Sequence, residues 1–412
     1  MNILLIHQYA GNKGDRAVAY ALSNLILAHD KFSSITISTS NLFLWKSEPF
    51  FIEKGIKFIP GAWVFNNVSQ NKTYWKLINS FKKYTFTILR ELYVNNKFCC
   101  LAKAFINPSF KRAVKEADVI ISVGGHHFTT ILSRDLVSFI NYDAMATLLL
   151  KKPLICFSQS FGPFEFHNQR NKILTKKILE VSKLYLREKQ SCDCLKKFGV
   201  SNNNMHMTYE SVLSLNKLFP SYIIPSQREK WIGIAIYATQ RRTPQEHEAY
   251  IQSISEACNY FIQKGYLVRF FPMELKGTGP DDRNLINEII DQIEEKEHCY
   301  LYEQDMTTLQ HISEVAKCRI FIGHKTHSTI FALTCGTPLV GIAYHSKTLE
   351  FMIQYEMENY CIDDKILSSQ IIIEKVVMLE KDLDMIGEQE YLRSKEISDI
   401  ITSDFNSILN ND

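Results

Sequence analysis

The feature that most limits how this chain can fold is the alternation of short apolar runs with helical patterns over most of its length. The apolar runs are rich in β-branched residues, as strands buried on both faces tend to be. Apolar residues at helical spacing lie between them, for example in the predicted helix 15–27. This alternation predicts mostly parallel, doubly wound sheets of the α/β class. The predicted strands of the first half are 2–6, 34–38, 56–59, 119–122, 154–158 and 184–186.

The alternation is interrupted at 219–227, where Pro220 and Pro225 stand in a stretch without a clear period, as in an interdomain linker. It then restarts, which predicts two Rossmann-like domains facing one another across a cleft. The expected domains are 1–219, 226–380 and a helix over 381–412 that packs back on the N-terminal domain. In the second half the predicted strands are 232–237, 267–271, 300–302, 319–322 and 339–342, and the predicted helices are 245–263, 282–293, 307–316 and 328–335.

Composition excludes several classes of protein. A formal net charge of +3 on 412 residues is too small to indicate nucleic-acid binding through bulk electrostatics. No stretch approaches the roughly 20 apolar residues that span a bilayer, and the start of the chain reads as a strand, so we expect a cytoplasmic protein. The ten cysteines are scattered without zinc-ligand spacing, which predicts reduced thiols.

One segment departs from the pattern. The predicted insertion 66–115 is rich in lysine, arginine and aromatic residues, and Glu91 is the single acid between Lys72 and Lys115. A solvated basic helical face is one interpretation. The other is a surface for the inner face of a membrane or for a lipid-linked acidic substrate, because lysines beside aromatics suit an anionic lipid interface. Its position between strands favours the acceptor side of a two-domain enzyme.

The segment 318–328 carries the strongest chemical signal. An apolar run ends at Gly323, and Lys325 and His327 follow just before a helix-like stretch. The end of a strand that opens onto a helix start is where α/β proteins bind ligands, and the helix's N–H groups favour an anion. A cation and an imidazole there predict a pocket for a phosphate or carboxylate, with a group that moves a proton near neutral pH. A basic surface loop is the alternative.

Four other loops follow predicted strands: 9–17, 122–127, 158–163 and 184–191. The first carries glycines for a tight turn and Asp15 to cap a helix, but it has neither P-loop nor dinucleotide-fingerprint spacing. A capped turn without a ligand is its alternative interpretation. In the second loop, His126 and His127 are expected on the rim of the sheet, either as acceptor contacts or as hydrogen-bonded loop residues.

In this order the segments resemble those of the polysaccharide pyruvyl transferase family. The resemblance extends from about residue 3 to residue 360. The matching pieces are Gly11-Asn12 with Gly14-Asp15, Gly124-Gly125, Gly162-Pro163, Arg187-Glu188 with Ser191 and Gly199, and His327 followed by Ala332, Gly336-Thr337-Pro338, Tyr344 and Lys347.

The resemblance implies two Rossmann-like domains of the GT-B kind, phosphoenolpyruvate as donor, and a product in which a pyruvyl ketal bridges two hydroxyls of a sugar. It implies that His327 transfers a proton and that Arg187 and Lys347 act with it, binding the donor together with Lys325 and Ser328. Phosphoenolpyruvate is a co-substrate here, and no cofactor or metal is expected. The expected acceptor is a sugar of a cell-surface polysaccharide or its lipid-linked precursor. Residues expected to contact it or to form structural loops are Asn12, Gly14, Asp15, Gly124, Gly125, His126 and His127.

Three positions depart from the family pattern. Lys325 stands where the family has the arginine of Arg-x-His, Arg16 stands where an acid is common, and Glu210 replaces a usual aspartate. A GT-B-type glycosyltransferase with a nucleotide-sugar donor is therefore the alternative function, and a binding protein that has lost catalysis is a third. Gln240-Arg241-Arg242 is interpreted as a phosphate contact or as a surface basic cluster. The sequence leaves the oligomeric state open.

Overall fold

The computed structural model describes residues 1–8, 12–39, 45, 48–63, 84–95, 103–131, 138–201, 203, 205–219, 221–275, 280–344 and 346–410. It contains two compact units. Unit 1 consists of Met1–Ala10, Val18–Ser211 and Ser403–Asp412, and unit 2 consists of Gly11–Ala17 and Val212–Thr402. The short segment after the first strand therefore belongs to unit 2, although the chain then returns to unit 1.

Unit 1 is built on a sheet whose strands all pair in parallel. Its strands are β1 (Asn2–Gln8), β2 (Ser34–Thr39), β3 (Lys57–Pro60), β4 (Val119–Ser122), β5 (Gly125–Phe128), β6 (Ile155–Phe161), β7 (Lys183–Leu186) and β8 (Met205–Met207). The order is β3-β2-β1-β4-β6-β7-β8, and β5 pairs with β6. The strand order reverses between β1 and β4, and ligands of doubly wound sheets bind at such switch points.

Helices connect these strands. They are α1 (Lys13–His29), α2 (Pro49–Glu53), α3 (Pro108–Glu116), α4 (Ser138–Leu149), α5 (Gln169–Glu180) and α6 (Lys189–Phe198). Their ends follow ordinary capping chemistry. The side chain of Asn168 accepts from backbone N–H groups at the start of α5, and Gly199 ends α6 in a left-handed conformation at φ 83°. Apolar side chains of the helices, such as Phe110 and Leu174, are fully buried in the core beneath the sheet.

Unit 2 contains a second parallel sheet. Its strands are β9 (Trp231–Ala235), β10 (Leu267–Phe270), β11 (Cys299–Leu301), β12 (Ile320–Gly323), β13 (Leu339–Ala343) and β14 (Cys361–Asp363). The order β11-β10-β9-β12-β13-β14 is that of a Rossmann sheet, with its switch point between β9 and β12. These two strands approach closely at Gly233, where an added Cβ would lie 2.6 Å from the ring of Phe321.

The helices of unit 2 are α7 (Pro244–Gln263), α8 (Asp282–Asp291), α9 (Thr308–Lys317), α10 (Thr326–Cys335), α11 (Ser346–Gln354), α12 (Ser369–Lys381) and α13 (Leu383–Asn410). Capping boxes close α7, through Thr243 and Glu246, and α9, through Thr307 and Gln310. The last turns of α13 belong to unit 1, where the ring of Phe405 lies 5.0 Å from that of Phe157.

The predicted α/β class with two Rossmann-like parallel sheets is confirmed. One local prediction is wrong, because residues 125–128 form strand β5 and not a loop. In the predicted insertion 66–115, the structure describes residues 84–95 and 103–115, which include helical residues at 84–94 and most of α3. The other residues of the insertion lie outside the described part of the chain. Within the described part of the chain, no helix has the length and apolar character to cross a membrane.

Candidate active site

The predicted site residues fall in both units. Gly124, Gly125, His126, His127 and Arg187 belong to unit 1, at or next to the carboxyl ends of its strands. The remaining predicted residues belong to unit 2, and these are Asn12, Gly14, Asp15, Lys325, His327, Ser328 and Lys347.

His327 lies in the first turn of α10, directly after strand β12. All four residues of β12 are buried, and the N–H of the following His324 donates to the carbonyl of Ala235 at 3.0 Å. The strand end is therefore fixed to its neighbour β9 at the switch point of the sheet. Ser328 is fully buried, and its hydroxyl donates to the carbonyl of Lys325 at 2.6 Å, so it stabilises the turn that carries His327.

Gly14 packs directly against His327. The Asn12–Arg16 segment is held in unit 2 by a bridge between Asn12 and Glu274 and by a hydrogen bond from the Lys13 N–H to Met273. A Cβ on Gly14 would lie 2.7 Å from the Cβ of His327 and would overlap its ring. The structure thus brings together Gly14 and His327, which were predicted separately.

The turn before α1 is rigid. The Asn12 side chain accepts from the N–H of Asp15 at 2.8 Å and donates to the Asp15 carboxylate at 2.8 Å. Both residues were expected to contact an acceptor or to form a structural loop. Their mutual hydrogen bonds give them a clear part in holding Gly14 in place, and an acceptor contact stays a prediction.

We expect Gly14→Ala to displace the imidazole of His327 by at least about 1 Å, because carbon atoms in contact prefer separations near 3.5–4.0 Å. Alanine also favours the helix at this position by roughly 0.5–1 kcal/mol, so the fold should survive. A crystal structure of the variant measures the displacement. The matched control is Gly341→Ala, whose Cβ would lie 3.3 Å from the flexible end of Met352 and 3.5 Å from the methyl group of Thr348. An unmoved His327 ring in Gly14→Ala would contradict the predicted overlap.

Two cations flank Gly14 in the sequence. Arg16 makes a bidentate pair with Asp305 at 2.9 and 2.6 Å, and the ammonium of Lys13 lies 3.7 Å from the same carboxylate. Two cations thus share one carboxylate. Burial and the neighbouring Lys13 and Arg16 hold the pKa of His311 well below its usual range, so this imidazole is neutral. Lys13 and Arg16 thus place two cations in the segment next to His327, and the carboxylates of Asp15 and Asp305 balance their charge.

Lys325 is engaged with two carboxylates. Its ammonium donates to both oxygens of Asp282 at 2.9 Å and to Glu274 at 3.2 Å. Asp282 is fully buried, and burial raises its pKa against the opposing effect of Lys325. Lys325 therefore joins the β12–α10 turn to the start of α8. Its expected role in donor binding stays a prediction.

Lys347 follows the neighbouring strand β13, in the first turn of α11, and is half-buried. Just before it, the ring of Tyr344 stacks on Tyr237 with centroids 4.2 Å apart. Because β13 pairs with β12, Lys347 and His327 follow adjacent strands at the same edge of the sheet. Carboxyl ends of neighbouring parallel strands are a common place for convergent ligand-binding groups.

Arg187 directly follows strand β7 of unit 1 and is buried. Its Nε donates to Ser160 at 2.8 Å, its Nη1 donates to Glu210, and Glu188 lies 3.4 Å away. Both glutamates are buried as well. Arg187 was expected to bind an anion, and that role stays a prediction. The observed contacts compensate its charge within unit 1.

The four residues predicted at the glycine pair lie in and before β5. An added Cβ on Gly124 would lie 3.0 Å from the carbonyl of Ser158, and one on Gly125 would lie 2.6 Å from His127 Nε2. His126 Nε2 is hydrogen-bonded to the carbonyl of Gly162, and His127 is buried. Both histidines thus lie in β5, and their expected contact with an acceptor stays a prediction.

The sequence analysis missed a polar cluster beside them. His7, the residue before the last of β1, has φ 68°, and its Nδ1 lies 2.7 Å from the hydroxyl of Ser122 at the end of β4. Ser122 also accepts from the amide of Gln159, whose neighbour Ser158 has φ 57°. Non-glycine residues with positive φ concentrate at functional sites. His7 and Ser122 lie at the carboxyl ends of the two strands that flank the switch point of unit 1, next to the last residue of β1 and at the last residue of β4. A histidine directly after the first apolar run was the available signal.

The fold is shared with UDP-GlcNAc 2-epimerases and with a protein solved in complex with UDP. UDP-GlcNAc 2-epimerase from Neisseria meningitidis superposes with a TM-score of 0.59 at 14% identity, with complete coverage of both chains. A putative UDP-N-acetylglucosamine 2-epimerase from Listeria monocytogenes gives a TM-score of 0.58 at 11% identity, covering 94% of this chain and 90% of that one. Anabaena Alr3699/HepE, solved with UDP and glucose, gives 0.56 at 12% identity, covering 100% and 98%. The chain thus has the GT-B-like α/β fold.

The family is narrower than the fold. The sequence profile of the polysaccharide pyruvyl transferases matches residues 12–346, and the chain belongs to this family. The amylovoran biosynthesis protein AmsJ of Erwinia amylovora is 23% identical over 393 residues, which cover 91% of each chain. The predicted resemblance is confirmed. The protein is a transferase with a role in polysaccharide modification.

Proposed function

We propose that this protein transfers the pyruvyl group of phosphoenolpyruvate to two hydroxyls of a sugar, forming a ketal and releasing phosphate. The acceptor sugar belongs to a cell-surface polysaccharide or to its lipid-linked precursor. The observation that carries the proposal is the packing of His327 against Gly14, between the flanking cations Lys13 and Arg16, in a chain of this family.

The charge on phosphoenolpyruvate supports this site. The molecule carries close to three negative charges near pH 7, so a binding site needs cations and oriented N–H donors. Lys13, Arg16 and Lys347 supply cations in unit 2, and His327 stands in the first turn of α10, where free N–H groups favour an anion. No side chain caps the start of this helix among the described residues.

The reaction then needs one group to move protons. A proton adds to the methylene carbon of the enol, and the adjacent carbon becomes electrophilic. One sugar hydroxyl attacks this carbon, the bond from carbon to the phosphate oxygen breaks, and the second hydroxyl closes the ketal. Of the two hydroxyl protons, one balances the proton added to carbon and the other leaves on phosphate. His327 either gives the first proton or accepts one from a hydroxyl.

The polar cluster of unit 1 suits the acceptor. His7, Ser122, His127 and Gln159 offer hydrogen-bond donors and acceptors, and the charge of Arg187 is compensated by glutamates. Hydroxyl groups of a sugar are recognised by such side chains. We therefore infer that the donor binds to unit 2 and that unit 1 supplies contacts to the acceptor hydroxyls.

The test is release of phosphate from phosphoenolpyruvate in the presence of a panel of sugars and lipid-linked sugars. Acceptor-dependent release, with a raised melting temperature in phosphoenolpyruvate alone, is the expected result. Stabilisation by UDP or GDP but not by phosphoenolpyruvate would favour a glycosyltransferase instead. Folded protein that is not stabilised by phosphoenolpyruvate and releases no phosphate with any acceptor would refute the proposal.

A further inference from the structure

Two buried threonines stand next to residues that the proposed reaction uses. Thr326 is the first residue of α10 and directly precedes His327, and Thr348 lies in the first turn of α11 and directly follows Lys347. Thr348 is fully buried, and Thr326 is 9% exposed. Since a buried hydroxyl costs free energy unless it is hydrogen-bonded, the partners of these two groups are informative.

The two hydroxyls bond to each other. Thr326 Oγ1 lies 3.2 Å from Thr348 Oγ1 in the interior of unit 2, and we call this contact the threonine bridge. The Thr326 hydroxyl also hydrogen bonds with the phenol of Tyr344, the residue after β13. The bridge therefore joins the turn after β12 to the turn after β13, two strands that pair in parallel.

The threonine bridge sets the spacing between the starts of two helices. His327 and Lys347 each lie one residue, about 3.8 Å along the backbone, from a bridged threonine. N–H groups at a helix start favour an anion, and no side chain caps α10 among the described residues. A shift of one helix start against the other would move the imidazole, the ammonium and these N–H groups relative to one another.

Other contacts anchor the turn of His327 to more distant parts of unit 2. Lys325 pairs with Asp282 in α8 at 2.9 Å, and His324 Nδ1 lies 2.9 Å from the hydroxyl of Tyr250 in α7. Both contacts hold the turn after β12, but neither involves the turn after β13. The threonine bridge acts directly between the two turns.

We propose that Thr326 and Thr348 are positioning residues for pyruvyl transfer. The threonine bridge holds His327 and Lys347 at the separation at which one donor molecule contacts both. The inference rests on the proposed function for its link to catalysis. Each threonine acts through its neighbour in the chain and does not touch the donor. Catalytic groups tolerate displacements of only about 0.5 Å, and a displacement of about 1 Å can lower a rate about 10²-fold.

Valine variants break the bridge with little change in volume. In Thr326→Val and Thr348→Val a methyl group faces the remaining hydroxyl, so a contact of about 3.5–4.0 Å replaces the hydrogen bond. For phosphate release from phosphoenolpyruvate, kcat should fall about ten- to hundredfold in each variant, and KM for the donor should rise less than about threefold. Thr326→Ser and Thr348→Ser keep the hydroxyl and should retain kcat within about threefold.

The double variant separates positioning from stability. Each single valine leaves one buried hydroxyl without its bridge partner, so the melting temperature should fall. Thr326→Val combined with Thr348→Val removes both hydroxyls and should regain much of this loss, because two apolar groups need no hydrogen bond. Its kcat should stay as low as that of the weaker single variant, since the wider contact remains.

Thr334→Val is the matched control. Thr334 also lies in α10 and is fully buried, but its hydroxyl donates to the carbonyl of Ile330 at 2.7 Å within the helix. This variant should lower the melting temperature and leave kcat unchanged. Unchanged kcat in all three bridge variants would overturn the proposal. A kcat that follows the melting temperature in every variant, Thr334→Val included, would overturn it as well.

Failure of the proposed function has a different signature. If the unchanged protein releases no phosphate with any acceptor, pyruvyl transfer is refuted, and the melting temperatures alone then test the bridge. Non-additive losses in the double variant would support the coupling of the two turns, and additive losses would exclude it.

Discussion

Replacing His327 by alanine is expected to lower acceptor-dependent phosphate release from phosphoenolpyruvate by about 10²- to 10⁴-fold, the usual contribution of a positioned acid or base. The side chain is half-buried in the first turn of α10, so its removal should change the melting temperature little. Rates measured at saturating donor separate this effect from weaker binding. His327→Gln should be equally impaired, because it keeps polarity and comparable size without a titratable ring.

His247→Ala is the matched control. This histidine is also in unit 2, is 39% exposed and pairs with Glu288 on the surface at 2.7 Å. The activity of His247→Ala should equal that of the unchanged protein. If His327→Ala retained activity within a factor of a few, proton transfer would have to be assigned to another group, and His7 would be the next candidate on geometric grounds.

Lys325→Met is expected to destabilise unit 2 by about 3–5 kcal/mol, since it leaves the fully buried carboxylate of Asp282 without its charged partner. Two backbone N–H groups, from Met273 and Glu274, still donate to Asp282 but do not neutralise it. The midpoint of urea-induced unfolding measures the loss.

The pH dependence of this loss has a definite sign. A carboxyl whose folded pKa lies above its unfolded value binds more protons when folded, so its contribution to stability falls as pH rises. Burial already raises the pKa of Asp282, and removal of Lys325 should raise it further. The deficit of Lys325→Met should therefore be larger at pH 8 than at pH 5.

A double variant separates charge from packing. Lys325→Met combined with Asp282→Asn removes both charges and should recover much of the lost stability. Lys317→Met, which breaks an exposed pair with Glu314, should cost less than about 1 kcal/mol. Equal losses in the Lys325→Met single variant and the double variant would contradict the assignment of Asp282 as the source of the cost.

The parallel sheets could be predicted from the sequence, because buried parallel strands appear in it as short β-branched runs separated by segments of helical periodicity. It failed for β5, since a strand of sequence Gly-His-His-Phe has no such run. The three-residue strands β8 and β14 were also missed.

The candidate site was predictable only one strand end at a time. His327 was identified from its position after β12, but its packing against Gly14 joins residues more than three hundred positions apart. The partners of Lys325 were likewise hidden, since neither Glu274 nor Asp282 stands in a recognisable motif beside it. Tertiary proximity of this kind is set by the register of the sheet and the course of the loops, and a single sequence does not encode it in a local pattern.

The assignment of residues 11–17 to the second unit limits how this protein can be divided or recombined. A fragment that starts at residue 212 would lack the glycine that contacts His327 and the cations on either side of it. If the C-terminal halves of two relatives were exchanged, His327 would come from one parent and residues 11–17, which contact it, from the other. Such a chimera therefore needs crossover points before and after residues 11–17, or two parents with the same sequence in that segment.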